Sequence, residues 1–352
     1  MKIVVLGGGL STERHVALVT ATSVCRALRE RGHRAVFVDT FFGLENYTKP
    51  LACAFDEPDG LCGQVSIEHQ APDIAAVMAS RRFRSPSRLG KGVLEICAMA
   101  DCVFLGLHGA DGEDGKIQAA LELLGVPYTG SGPLPSGMAM DKIVAKRIVS
   151  GAGVLTPEWR ELRYTAADIP ALTASLPLPC AVKAPNGGSS IGVALPDTRE
   201  ELEKALRDLL SFGGRVVVEK KIRGREITVP VLDGRALSPI EIVPPEGGTF
   251  DYVAKYQSGA EAAQELCPAP ITEGERALVG EAALRAHEAL GLQVYSRSDF
   301  ILDNEGRAWW LEVNTLPGMT PNSLIPKAAR VAGMSYGELC ETIVTLSLKE
   351  RR

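Results

Sequence analysis

The sequence predicts an α/β fold with an open parallel sheet at the N-terminus, followed by a larger α+β portion. Three observations carry this. From residue 1 to about 135, short apolar runs alternate with helical periods, the signature of βαβ units. A second strand–helix pattern begins near Met140. From about residue 225 the chain is strand-rich. The 352 residues leave room for two or three domains at about 150 residues each.

The elements follow in order. Ile3–Leu6 is an apolar run closed by Gly7, Gly8 and Gly9. Ser11 is placed to cap a helix whose period runs through Val16, Val19, Val24 and Leu28 to Gly32. Ala35–Val38 reads as a strand, Val103–Leu107 as another, and Ile117–Leu124 as a helix stopped by Gly125. Residues 41–92 show no regular pattern. Next come a helix at Asp141–Ser150, a strand at Cys180–Lys183, a glycine-rich loop with a strand leaving it, a helix at Thr198–Leu210 and a strand at Val216–Glu219. A long polar loop, Pro244–Pro268, precedes a helix at Thr272–Leu290. A hairpin of Ser296–Phe300 and Trp309–Asn314 follows, and a helix ends the chain.

Composition narrows the function classes. With 38 Lys and Arg against 43 Asp and Glu the net charge is −5, which argues against a nucleic-acid binder. Aromatic residues are only 5%, too few for base-stacking platforms. No apolar stretch approaches the ~20 residues of a membrane span. The first apolar run is too short for a secretory signal, so a cytoplasmic protein is expected. The eight cysteines form no C-x-x-C pair and read as reduced core-filling residues.

Several motifs carry chemistry. Gly7–Gly9 sits between a strand and a helix, where glycines let a ligand approach the backbone. By itself it is equally a tight turn, and Thr12 stands where a dinucleotide fingerprint would have glycine. Glu13, in the first helical turn, either complements the helix dipole or binds an ammonium group. His108, at the start of a Gly-rich segment after a buried strand, could share a crevice with Glu13 at the carboxyl edge of the sheet. Lys183 leads into Gly187-Gly188-Ser189-Ser190, a loop of free amides, hydroxyls and a cation suited to phosphate. In the hairpin, period two puts Arg297 and Asp299 on one face, and Glu312 and Asn314 on one face of the partner. With a symmetric turn between Leu302 and Arg307, Arg297 would lie opposite Glu312. Two carboxylates and an amide oxygen suit a hard cation such as Mg²⁺. Pro317-Gly318 beside them offers backbone N–H donors for an oxyanion.

Taken together these motifs resemble the D-alanine–D-alanine ligase family of the ATP-grasp superfamily. The resemblance runs through Gly7–Arg14, Leu107–Gly115, Pro127–Gly132, Met140–Lys142, Lys183 with Gly188–Ser190, Asp251–Tyr256, Arg297 with Asp299, and Leu311–Asn314 with Pro317–Thr320. It implies a Rossmann-like pre-ATP-grasp domain (1–135) and a two-part ATP-grasp fold (136–225 and 226–352) with a lid at 244–268. It implies that two D-alanine molecules are joined through an acyl phosphate, at the expense of ATP and with two Mg²⁺ or Mn²⁺ ions, for peptidoglycan precursor synthesis in a cytoplasmic homodimer.

The resemblance also implies residue roles. Lys142, Lys183, Ser189, Ser190 and Lys255 would contact phosphates or the nucleotide. Glu219, Lys220, Ile222 and Glu226 would line the adenine and ribose pocket, with the two glutamates accepting hydrogen bonds from the nucleotide. Asp299, Glu312 and Asn314 would hold the metal ions. Glu13 and His108 would place the first substrate. Arg297 and the Gly318 N–H would face the oxyanion. Ser323 and the Leu324 N–H would take the second carboxylate. Glu13, Ser189 and Tyr256 would form a triad that closes the site. Tyr256 favours an amine acceptor over D-lactate without separating D-alanine from D-serine, so a relative with another acceptor is the alternative. His15, Ala17 and Ala184 depart from the family pattern and bear on substrate placement. A nucleotide-binding module without catalysis would be expected to lack part of the metal set. A nicotinamide dehydrogenase would need neither the 183–192 loop nor the paired carboxylates.

Overall fold

The computed structural model describes residues 1–63, 72–187, 192–244 and 263–351. Strand β1 (Lys2–Gly7) leads to helix α1 (Arg14–Glu30), and β2 (Arg34–Asp39) returns beside β1. Short helices α2 (Ile74–Ser80) and α3 (Val93–Cys97) precede β3 (Cys102–Leu105), and α4 (Lys116–Leu123) follows. The three strands are parallel in the order β2-β1-β3. Ile3 to Leu6 are fully buried, as a central parallel strand covered on both faces must be.

Two local expectations need correction. The cap of α1 is Glu13 rather than Ser11. Ser11 instead closes a turn: its hydroxyl accepts the Glu13 N–H and its carbonyl the Arg14 N–H, both within 3.2 Å. That turn delays the helix by two residues. Strand β3 stops at Leu105, not Leu107, because β1 has by then entered its glycine loop and offers no further ladder. Gly7 is needed there, since a Cβ would stand 2.4 Å from Ala21 Cβ on α1.

The second part contains α5 (Pro133–Met140), α6 (Lys142–Gly151), β4 (Trp159–Arg163), α7 (Ile169–Ser175), β5 (Cys180–Lys183), β6 (Val193–Ala194), α8 (Arg199–Leu209) and β7 (Arg215–Lys220). Its antiparallel sheet has the order β4-β7-β5-β6. Asp141 caps α6 by accepting from the Ile143 and Val144 N–H groups at 2.9 and 3.1 Å. Thr198 and Glu201 form a capping box on α8. Strand β4 is an edge strand of alternating half-exposed polar residues, which is why no apolar run announces it.

The third part holds β8 (Arg225–Leu232), β9 (Arg235–Ala236), β10 (Ile240–Val243), β11 (Gln264–Leu266), α9 (Glu273–Ala289), β12 (Tyr295–Leu302), β13 (Ala308–Asn314), α10 (Leu324–Val331) and α11 (Tyr336–Glu350). The sheet order is β11-β10-β8-β12-β13, with β9 paired to β8. Part of the expected loop at 244–268 is thus a strand, β11, paired to β10. The remainder of that loop falls largely outside the described residues.

The β12–β13 register differs from the symmetric reading. Leu302 faces Ala308, and the ladder slips again between Asp299 and Phe300, so Arg297 faces Asn314 and Asp299 faces Glu312. A one-residue slip would send a strand's side chains to the opposite face. Here a longer turn and a bulge each contribute one residue, and two slips restore the face. Helix α11 packs back on the N-terminal sheet, where Leu339, Ile343 and Val344 share a core with Leu28 and Phe104. Arg31 and His33 pair with Glu341 at 2.6 and 3.0 Å. All eight cysteines are free thiols, and six are buried.

Candidate active site

A cavity of about 590 Å³ opens between the four-stranded and six-stranded antiparallel sheets. Lys142 reaches it from the first turn of α6, Lys183 from the end of β5, Glu219 and Lys220 from β7, Ile222 from the connection into β8 and Glu226 from β8 itself. Asp299 and Glu312 face it from the hairpin. The structure therefore gathers residues from four separate stretches of sequence around one cavity. Ser189, Ser190, Lys255 and Tyr256 lie outside the described residues.

The charges in this wall are paired. On the β5–β7 ladder Ala181 faces Glu219, so Lys183 is the diagonal neighbour of Glu219 on the same face. The Lys183 ammonium contacts one Glu219 oxygen, and Lys146 sits 2.7 Å from the other. Burial works to raise the Glu219 pKa, but the two ammonium groups outweigh it and hold the carboxyl below its usual range. Burial likewise works to lower Lys183, and Glu219 outweighs it, so Lys183 is raised. In Lys146 burial prevails and the pKa is lowered. Lys142 pairs with Glu312 at 2.9 Å and donates to the Gly187 carbonyl at 2.7 Å. Sequence reasoning did not single out Lys146. Its one signal is the four-residue spacing from Lys142, which puts both on one face of α6.

Asp299 is the hub of the hairpin. Arg297 grips it in a fork at 3.0 Å on both oxygens, Thr228 donates at 2.5 Å and Asn314 at 3.2 Å. The oxygen-only character of Asp299, Glu312 and Asn314 matches a hard divalent cation. Among the described residues no three His, Cys, Asp or Glu side chains converge.

A second cluster lies where the N-terminal sheet meets the loop after β13. His108 Nδ1 is 2.8 Å from the Leu316 carbonyl, and its Nε2 is 3.1 Å from Thr20 Oγ1. A carbonyl can only accept, so Nδ1 carries the proton and Nε2 accepts from Thr20. Burial keeps the ring neutral by lowering its pKa. Glu13 reaches over Gly109, where a Cβ would stand 3.1 Å from its Oε2. Glu113 accepts from the Gly109, Thr315 and Leu316 N–H groups at 2.9, 3.1 and 2.9 Å. Burial and the nearby Glu13 charge push its pKa up to about 7. Glu113 went unassigned in the sequence, where it is one acid among three in a glycine-rich stretch.

Gly318 and Ser323 are also neighbours. A Cβ on Gly318 would stand 3.0 Å from Ser323 Oγ. That hydroxyl is 2.8 Å from Thr320 Oγ1 and accepts the Thr320 N–H at 3.1 Å. Ser323 caps α10, so Leu324 is its first residue and its N–H has no partner within the helix.

The family model described as D-ala D-ala ligase N-terminus matches residues 2–131, and that described as D-ala D-ala ligase C-terminus matches residues 148–345. The chain is 38% identical over 349 residues to a D-alanine–D-alanine ligase of Lacticaseibacillus casei, covering 99% of this chain and 96% of the relative. It is 39% identical over 349 residues to one of Oleidesulfovibrio alaskensis, covering 99% and 97%. The fold matches the Bacillus anthracis D-alanine–D-alanine ligase complexed with ATP at a TM-score of 0.71 and 28% identity, covering 100% of this chain and 98% of that one. It matches the VanG D-Ala:D-Ser ligase of Enterococcus faecalis at 0.74 and 26%, covering 98% and 99%. On the family models and full-length relatives alike, the chain belongs to the D-alanine–D-alanine ligase family.

Proposed function

We propose that this chain joins two D-alanine molecules into D-alanyl-D-alanine, converting ATP to ADP and phosphate, and so supplies a peptidoglycan precursor. The observation that carries the reading is the cavity between two antiparallel sheets, walled by lysines on one side and the Asp299–Glu312 pair on the other. ATP is the co-substrate, in keeping with the ATP complex of the Bacillus anthracis relative.

The chemistry follows from charge. A carboxylate is a poor acylating agent until its oxygen becomes a leaving group. The carboxylate of the first D-alanine attacks the γ-phosphate, giving an acyl phosphate and ADP. Two anions meet in that step, and Lys142 and Lys183 stand between them. Asp299, Glu312 and Asn314 are the residues that would hold Mg²⁺, which supplies charge neutralisation at the transferring phosphoryl group. Lys220, Ile222 and Glu226 line the nucleotide pocket in this reading. Glu219 serves it through its lysine pairs.

The second half takes place at the other cluster. Glu13 binds the first ammonium and His108 fixes the loop that carries Leu316. The amine of the second D-alanine attacks the acyl carbonyl, and the tetrahedral oxyanion faces Arg297 and the Gly318 N–H. Ser323 and the Leu324 N–H hold the second carboxylate. Collapse expels phosphate. Ser190 and Lys255 contribute to phosphate binding, and Glu13, Ser189 and Tyr256 close the site under a lid drawn from the part of 244–268 that precedes β11, which keeps water from the acyl phosphate. Domains 1–135, 136–225 and 226–352, a homodimer and a cytoplasmic location belong to the same proposal. Among the described residues no helix is long and apolar enough to cross a membrane.

The test is phosphate release from Mg-ATP with D-alanine, L-alanine, D-serine or D-lactate, singly and in pairs, with products identified by mass. Dipeptide from D-alanine alone is expected. Release only with D-serine or D-lactate as second substrate would move the assignment to the acceptor pocket.

A further inference from the structure

Lys146 is the most deeply buried cation among the described residues, with no exposed surface at all. It lies one turn beyond Lys142 on α6, 5.8 Å from the Trp310 ring centroid and 2.7 Å from Glu219. Unlike Lys142 and Lys183, it does not line the nucleotide cavity. Glu219 is 3% exposed and shared between Lys146 and Lys183. A carboxylate so buried cannot lose its only counter-ion without a large cost. If Lys183 were its sole partner, turning toward a polyphosphate would strand that charge.

We propose that Lys146 is a positioning residue: a fixed internal counter-ion that keeps Glu219 ionised and in place, and thereby frees Lys183 to engage the phosphates of the nucleotide. The division of labour is built into the geometry. Each Glu219 oxygen has its own lysine, one at the cavity wall and one behind it. Three lysines pair with the two carboxylates Glu219 and Glu312 in this group. Lys146 touches neither substrate nor reacting atoms and acts only through Glu219 and Lys183. The inference rests on the nucleotide-binding reading above.

The experiment is calorimetric titration with Mg-ADP, which needs no turnover, on wild type, Lys146→Met, Glu219→Gln and the double variant, with KM for ATP and for D-alanine measured alongside. Lys146→Met leaves Lys183 as the only cation on Glu219 among the described residues. It should weaken Mg-ADP binding at least about tenfold (~1.4 kcal/mol) and raise KM for ATP in parallel, with KM for D-alanine unchanged. Adding Glu219→Gln should recover most of that loss, because the stranded carboxylate is gone. Undiminished binding by Lys146→Met, or losses that simply add in the double variant, would overturn the proposal. Should Lys146→Met not fold, Glu219→Gln and the double variant decide the question: they should bind alike, and a tenfold gap would refute the role. Failure of wild type to bind Mg-ADP would overturn the nucleotide reading itself.

Discussion

The two clusters of the site are built in opposite ways. The proposed nucleotide wall is made of side chain against side chain: Lys142 on Glu312, and Lys146 and Lys183 on Glu219. The proposed substrate crevice is made of side chain against backbone: His108 on the Leu316 carbonyl, and Glu113 on the Gly109, Thr315 and Leu316 amides. The first stores charge that a polyphosphate can exchange for its own. The second fixes loops so that small groups sit within a fraction of an ångström, which is what positioning a reacting carbonyl demands. Loss of charge should therefore damage the wall most, and loss of a backbone bond should damage the crevice by misplacement.

The largest effect should come from the wall. Glu312→Gln keeps the volume but removes a metal-directed charge, and phosphate release should fall about a thousandfold, several kcal/mol of lost charge stabilisation. Its thermal midpoint should change little, and full activity in the folded variant would end the assignment. At the junction of the two regions, Arg297→Ala removes the proposed oxyanion donor and the fork on Asp299. A fall in kcat of about a hundredfold, or ~3 kcal/mol, is expected. A change confined to KM would show that Arg297 serves binding alone.

Within the crevice, Glu113→Gln should lower kcat about tenfold by loosening the 315–318 loop, and it carries a pH signature. The folded pKa of about 7 lies above the ordinary 4.5. Its protonated form thus contributes stability that is complete below about 4.5 and is lost as pH rises through about 7. Midpoints of wild type and variant followed across that window should diverge in slope, and parallel curves would contradict the buried carboxyl. Smallest is Gly318→Ala, whose methyl would press on Ser323 Oγ at 3.0 Å. KM for the second D-alanine should rise severalfold while KM for ATP stays put, and equal shifts in both would deny Ser323 its substrate.

Much of this was legible in the sequence because it is local. The β1 core run, the helix starts at Asp141 and Thr198, and the one-face placement of Arg297 with Asp299 and of Glu312 with Asn314 depend on residues a few positions apart. The same locality explains the misses. The Ser11 turn and the hairpin bulge are details of one or two residues that periodicity does not resolve, and β4 has no apolar run to find.

The sequence by itself determined the order of elements, the glycine loops that leave backbone open to ligands, and the inventory of lysines and carboxylates. Only the tertiary structure decided which of them meet. Lys183 and Glu219 are partners because a strand register makes them diagonal neighbours, and Lys146 joins them because α6 packs against that sheet. Glu113 reaches Thr315 across 202 residues, and α11 returns to close the N-terminal core. Helical and strand periods are set by neighbours along the chain. Pairings between remote segments are set by register and close packing, which no single stretch of sequence contains.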